Sequence, residues 1–310
     1  MSDRVKQDKR IAEEIIRLRI GQMIVNEEQK AKRLKVGVHL AMGHEAIAVG
    51  VSEIMREGDY LLPTHRNIAY NLVRAGAVRP ILEEYRLHRE GLNQGRSGSM
   101  NMLNPERGII YTSSILGNQL AVAPGLAMSL KMDNKKNVVI ALGGDGSIEE
   151  GSFYESMLMA QSLKVPVMYL IEDNEWSLGT HVKERRCPID TESLARSLGL
   201  RYLHLKGNDP YAYIKALREM RDYAILTSSP VCVEVRVYTL GDWRLKTPEH
   251  PEGEIINYHA GPAPEVSLSE WPIIRDNDED PIHVLIKYFD STMLAEVARE
   301  QFTTLQKEVA

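Results

Sequence analysis

The sequence predicts an α/β fold with a mostly parallel sheet flanked by helices. Three observations predict it. Val138-Val139-Ile140-Ala141-Leu142 is an apolar, partly β-branched run of the kind that forms a strand covered on both faces. Phe153, Met157, Ala160 and Leu163 then recur at helical spacing, and a second apolar run, Val165 to Ile171, follows them. Such a strand–helix–strand unit closes as a right-handed crossover between parallel strands.

The remaining elements extend that pattern. Residues 8–33 alternate charge with Ile11, Ile15, Ile16, Leu18, Ile20, Met23 and Ile24, a helical period that reads as a helix packed on the domain. Gly91 to Met102, GLNQGRSGSMNM, reads as a flexible loop near a site. Thr191 to Ser197 reads as a short helix, Arg201 to Leu205 as a strand and Pro210 to Leu226 as an amphipathic helix. Val231 to Tyr238 alternates and is expected to close the sheet. Residues 241–282 look loop-rich, and Ile282 to Val309 returns to helical spacing. The 310 residues are read as one domain, 1–310, with an N-terminal helical extension (1–35) and a loop-rich C-terminal region (241–310) ending in a helix.

Composition narrows the function classes. A formal charge of −5 argues against a nucleic-acid-binding surface. Cys187 and Cys232 have no metal-ligand spacing and imply no disulfide framework. The polar start MSDRVKQDKR does not read as a secretory signal, and no run is long enough to span a bilayer, so a cytoplasmic location is expected.

The chemistry concentrates where the two strands end. The first runs into Gly143-Gly144-Asp145-Gly146-Ser147, where glycine is expected to let the backbone turn tightly beside a ligand. The second ends at Glu172-Asp173-Asn174-Glu175. In a parallel sheet both ends share one rim, so the Asp145 carboxylate and the Asn174 amide oxygen come together. Both are hard oxygen donors suited to Mg²⁺, and backbone amides after Gly146 at a helix start favour a phosphate. The plainer reading is a Gly-Asp-Gly loop with no ligand.

The segment GDGSIEEGSFYESMLMAQSLKVPVMYLIEDNEWSLGT, in which GDG is followed by about 30 residues and an asparagine, resembles the thiamine diphosphate fingerprint. In detail it is similar to the alpha subunits of heteromeric 2-oxo acid dehydrogenases acting on pyruvate, branched-chain 2-oxo acids or acetoin. HLAMGHEA (39–46), LLPTHRNIAYNLVRAG (61–76), GLNQGRSGSMNM and YTSSILGNQLAVAPG (111–125) resemble further segments of that family, so the similarity covers about residues 10–260.

The resemblance implies a thiamine diphosphate-binding domain with specific roles for its residues. Asp145, Asn174 and the Trp176 carbonyl would hold Mg²⁺. The Gly146 and Ser147 amides with Arg66 would hold the diphosphate, and Gly144 and His65, the neighbour of Arg66, would also contact the cofactor. The Ser114 carbonyl would accept the aminopyrimidine amine, and Leu116 would be the apolar wedge that bends the cofactor; from sequence alone Leu116 is a core residue. The cofactor would decarboxylate a 2-oxo acid and pass the enamine to an acceptor, a lipoyl acyltransferase in the family. The activating glutamate would come from a beta subunit in an α2β2 heterotetramer, so Glu149, Glu150 and Glu155 are not candidates for it.

The chain departs from the family at several histidines. His44 stands in place of a glutamine, while Ile68, Tyr70, Asn101 and Asp242 stand where histidines are usual, and Arg244 is a possible substitute phosphate cation. Ile and Asp cannot supply a neutral-pH proton donor. A metal site of His39 and His44 is disfavoured, because their spacing does not share a helical face. Lys183-Glu184-Arg185-Arg186 reads as a solvated basic cluster. Two other readings therefore stand beside the dehydrogenase: a carboligase or transketolase-like enzyme without a lipoyl acceptor, and a degenerate, non-catalytic subunit. An NAD dehydrogenase is disfavoured, because the GxGxxG spacing is absent.

Overall fold

The computed structural model describes residues 3–241, 243–256 and 259–310. The chain starts with helix α1 (Asp3–Lys30) and α2 (Glu45–Ile54), followed by strand β1 (Tyr60–Leu62). Helices α3 (Ile68–Ala75), α4 (Arg79–Tyr85) and α5 (Asn118–Met132) lead to β2 (Val139–Gly144). Helix α6 (Gly151–Leu163) crosses to β3 (Val167–Asp173), and a short hairpin, β4 (Trp176–Ser177) and β5 (Thr180–His181), runs into α7 (Val182–Arg185). Then come α8 (Thr191–Ser197), β6 (Arg201–Leu205), α9 (Pro210–Thr227) and β7 (Val231–Arg236). A small pair, β8 (Trp243–Leu245) and β9 (Glu254–Ile256), precedes α10 (Pro281–Leu285) and α11 (Ser291–Val309).

The main sheet has the order β1-β2-β3-β7-β6, with every pairing parallel. It bears out the α/β class, with one change of order. β7 is an interior strand between β3 and β6, and β6 takes the edge instead. The pattern explains this: Val231, Cys232, Val233 and Val235 are all buried, whereas Arg201 and His204 of β6 face solvent. The stretch beyond residue 240 contains the β8–β9 pair, which composition did not reveal, and the helical spacing after Ile282 is split between α10 and α11.

Alternation along the strands fills two cores. Val138, Ile140, Leu142, Met168 and Leu170 pack with apolar side chains of α1, α2, α3, α9 and α11. Val139, Ala141, Val167, Tyr169 and Ile171 pack with those of α5, α6 and α8. Gly143 and Gly144 complete β2 in register with Ile171 and Glu172, so the turn begins at Asp145. The loop 91–102 is irregular but pinned, contrary to the flexible loop expected. The buried Glu84 carboxylate accepts backbone N–H groups of Asn93, Gly95, Ser97 and Gly98 at 2.8–3.2 Å.

Helix α1 is locked to the domain by a charge cluster with no exposure. Arg19 donates to both oxygens of Glu45 at 2.7 and 3.0 Å and to both oxygens of Asp280 at 3.0 and 3.1 Å. Gln22 adds a bond to Glu45 at 3.0 Å. Asp280 also accepts the Ile274, Arg275 and Ile282 amides, which caps α10. Burial would raise the Asp280 carboxyl pKa, but Arg19 and these bonds outweigh it and hold it below its ordinary value.

Removing Arg19 leaves the buried Glu45 and Asp280 carboxylates without their shared cation. Arg19→Ala is expected to cost roughly 3–5 kcal/mol in urea unfolding; a loss under about 1 kcal/mol, the range of an exposed pair, would contradict this role. Because the native pKa of Asp280 is depressed, the stabilisation is complete above the ordinary value of 3.8 and is lost as pH falls through the native value.

Candidate active site

The carboxyl ends of β2 and β3 open onto a cavity of about 250 Å³. That is the crevice in which parallel α/β sheets bind ligands. Every site residue expected from sequence lines it: His65, Arg66, Ser114, Leu116, Gly144, Asp145, Gly146, Ser147, Asn174 and Trp176. The sheet accounts for the core of this set. Gly144 pairs with Glu172, so Asp145 and Asn174 leave neighbouring strands at the same end.

Gly146 has an ordinary helical conformation, with φ −71°. Its requirement is therefore space. A Cβ there would lie 2.9 Å from Ser177 Oγ and 3.2 Å from Leu116 Cδ2. Ser147 begins a 3₁₀ turn ahead of α6, and its hydroxyl accepts the Gly144 amide at 3.1 Å. Leu116 is 39% exposed at the cavity and is not a core residue.

Asp145 is 3% exposed. Burial, and next the neighbouring Asp173 carboxylate, push its pKa up to about 6 against the opposing pull of Arg185. Arg185 donates to both Asp145 and Glu149, and Arg186 donates to Glu149 at 3.0 Å. The basic cluster at 183–186 is therefore not simply solvated. Two of its guanidinium groups, 12% and 15% exposed, fold back onto the site's carboxylates. These contacts link residues 36–40 positions apart, and the hairpin at 176–181 is what turns α7 back towards Asp145.

Asn174 is oriented from both ends. Its Oδ1 accepts the Trp176 amide at 3.0 Å, and its Nδ2 donates to Thr239 Oγ1 at 3.0 Å. The intervening Glu175 has φ +63°, a strained value for a residue with a side chain, and pairs with Arg236 at 2.7 Å. Arg66 reaches the cavity with its guanidinium donating to the Leu40 carbonyl and, at 3.2 Å, to the His259 carbonyl.

Histidines separate into two groups. His44 is buried, with Nδ1 3.4 Å from Glu172 Oε1 and Nε2 3.1 Å from Thr239 Oγ1. Tyr70 donates to the same Glu172 oxygen at 2.8 Å. His39 groups with His65 and His259, with ring nitrogens of the three within 4.8 Å of one another. His259 was not singled out from sequence; it lies in the loop-rich region after β9, where no local signal marks it. Asp242 lies outside the described residues, as does the side chain of Arg244. Ile68 and Tyr70 are core residues of α3, and Asn101 is exposed.

Residues 15–243 match the family model described as "Dehydrogenase E1 component". The chain is similar to the pyruvate dehydrogenase E1 component subunit alpha of Rhizobium meliloti, with 30% identity over 200 residues, 64% of this chain and 58% of that one. The subunit of the same name from Rickettsia prowazekii is 29% identical over 64% of this chain and 61% of its own length. The mitochondrial subunit of Saccharomyces cerevisiae is 28% identical over 76% of this chain and 55% of its own. The matches thus span a little over half the length of these curated relatives. Among the described residues, no helix is long and apolar enough to cross a membrane.

Thr239 joins Asn174 to His44. Thr239→Val keeps the shape, removes the shared hydroxyl and leaves the buried His44 ring nitrogen short of a partner, while the half-buried Asn174 amide loses one of its two bonds. It is expected to cost about 1–3 kcal/mol, measured by urea unfolding; an unchanged midpoint would show that the link does not stabilise the fold.

Proposed function

The chain belongs to the dehydrogenase E1 component family, and from that premise we propose that it is the alpha subunit of a thiamine diphosphate- and Mg²⁺-dependent 2-oxo acid dehydrogenase. The reading includes a beta subunit, an α2β2 assembly, a cytoplasmic location and a small 2-oxo acid substrate. The observation that carries it is the Asp145 carboxylate. It is buried beside a second carboxylate and already paired with a cation, and it stands on one rim with the aligned amide of Asn174. Such a position calls for positive charge and presents hard oxygen donors, which is what Mg²⁺ takes.

The residues present fit the group. Asp145, Asn174 Oδ1 and the Trp176 carbonyl would hold the metal. The Gly146 and Ser147 amides and Arg66 would surround the diphosphate, with Arg66 matching two phosphate oxygens at once, and Gly144 and His65 would line the cofactor site beside them. The space a Cβ at Gly146 would fill is the cradle between Leu116 and Ser177. Leu116 would press on the bound cofactor, and the Ser114 carbonyl would accept from its amine. When bound, thiamine diphosphate supplies a carbon nucleophile that takes up the electron pair as carbon dioxide leaves. The chain's own part is to bind and orient. No acid of this chain is assigned to cofactor activation: Glu149 is engaged by Arg185 and Arg186, which agrees with an activating glutamate on the beta subunit.

A second reading keeps the cofactor and replaces a lipoyl acyltransferase with an aldehyde acceptor, as in a carboligase. Its support is the set of positions 68, 70 and 101, where family histidines give way to isoleucine, tyrosine and asparagine. A scaffold subunit is disfavoured, because the whole expected binding set converges on one cavity.

Calorimetric titration of thiamine diphosphate into the chain with its beta-type subunit tests the reading. Saturable binding that requires both Mg²⁺ and Asp145 is expected, and is lost in Asp145→Ala. No binding by a folded complex would overturn it. Because Arg185 competes for the same carboxylate, Arg185→Ala at pH 8 is expected to tighten apparent Mg²⁺ affinity by about tenfold, the equivalent of about 1.4 kcal/mol. Weaker Mg²⁺ binding in that variant would show that Arg185 assists the metal.

A further inference from the structure

The cavity has a second chemical character besides its carboxylate rim. His39 precedes α2, His65 follows β1 and His259 follows β9, so three distant segments bring imidazoles to one place. The His39 ring stands edge-on to His65 at a centroid distance of 4.7 Å and to His259 at 4.8 Å; His65 and His259 are 5.8 Å apart. All three are neutral at physiological pH. Burial, and then the nearby Arg66 guanidinium, push His39 down to about 2 and hold His65 and His259 at about 4. His39 Nδ1 is buried and has no hydrogen-bond partner.

Two ligand chemistries suit three neutral imidazoles. One is a transition metal, which takes imidazole lone pairs. Arg66 argues against it: the charge that disfavours protons on these rings disfavours a metal cation as well. The other is a small molecule with several oxygen atoms, to which each ring offers one N–H donor and one acceptor. Branched aliphatic groups would leave those nitrogens unpaired on desolvation, a penalty that a hydroxyl avoids.

Resting on the thiamine diphosphate reading above, we propose that His39, His65 and His259 form the wall that selects the substrate. They favour a short 2-oxo acid carrying a hydroxyl group over one with a branched aliphatic side chain. His259 lies beyond residues 15–243, which match the family model, and its backbone carbonyl is held by Arg66, so its ring can be changed without removing that anchor.

The test uses the full chain with its beta-type subunit, with ferricyanide as electron acceptor, and compares hydroxypyruvate with 3-methyl-2-oxobutanoate. Wild type is expected to favour hydroxypyruvate in kcat/KM by at least about tenfold, the scale of one well-made hydrogen bond. His259→Leu removes that preference mainly through KM, and His259→Asn, which keeps a donor and an acceptor, restores most of it. Calorimetry is expected to give both variants the wild-type affinity for thiamine diphosphate and Mg²⁺. Preference of wild type for the branched acid would overturn the inference. So would an unchanged ratio in a folded, cofactor-binding His259→Leu, or stoichiometric Zn²⁺ bound through the three rings. Failure of wild type to bind the cofactor is a separate result: it defeats the functional reading, and this inference falls with it.

Discussion

The site depends on keeping one carboxylate charged where water is scarce. Asp145 is almost fully buried at the end of β2, and its near neighbour Asp173 is a second negative charge. Either factor alone favours the protonated acid. The arrangement is tolerable as an anion only with a cation in contact, and in this structure Arg185 provides it. The hairpin that carries Trp176, the return of α7 and the pairing of Glu149 with both arginines are all arranged around that requirement. A divalent ion at Asp145 would satisfy the same need, and Arg185 would then have Glu149 to retain it.

Much of this was legible because it follows from the sheet. Two apolar runs separated by one helix give adjacent parallel strands, and adjacent parallel strands place Asp145 and Asn174 on one rim. The ten expected site residues line one cavity for that reason. What sequence hid were contacts made between elements. Arg185 looked like part of an exposed basic run, since nothing in VKERR records that the preceding hairpin reverses the chain. His259 lies in a loop with no periodicity, so its arrival beside His39 and His65 depends on tertiary packing. The interior place of β7 was likewise missed, because alternation identifies a strand but not its neighbour.

The departures from the family pattern have physical roles here. Tyr70 and His44 both face Glu172, and His44 also contacts Thr239, which orients Asn174. These two side chains thus tie the end of β3 to α2 and α3 by hydrogen bonds. Ile68 simply fills the core. Imidazoles are nevertheless present in the cavity, at His39, His44, His65 and His259.

The most direct measurement is a structure of the chain and its beta-type subunit with thiamine diphosphate and Mg²⁺ bound. The metal is expected at about 2.0–2.1 Å from Asp145 and Asn174 oxygens, with the Arg185 guanidinium withdrawn from Asp145 onto Glu149. A bound cofactor whose metal avoids Asp145, or one that leaves the Arg185–Asp145 pair intact, would contradict that arrangement.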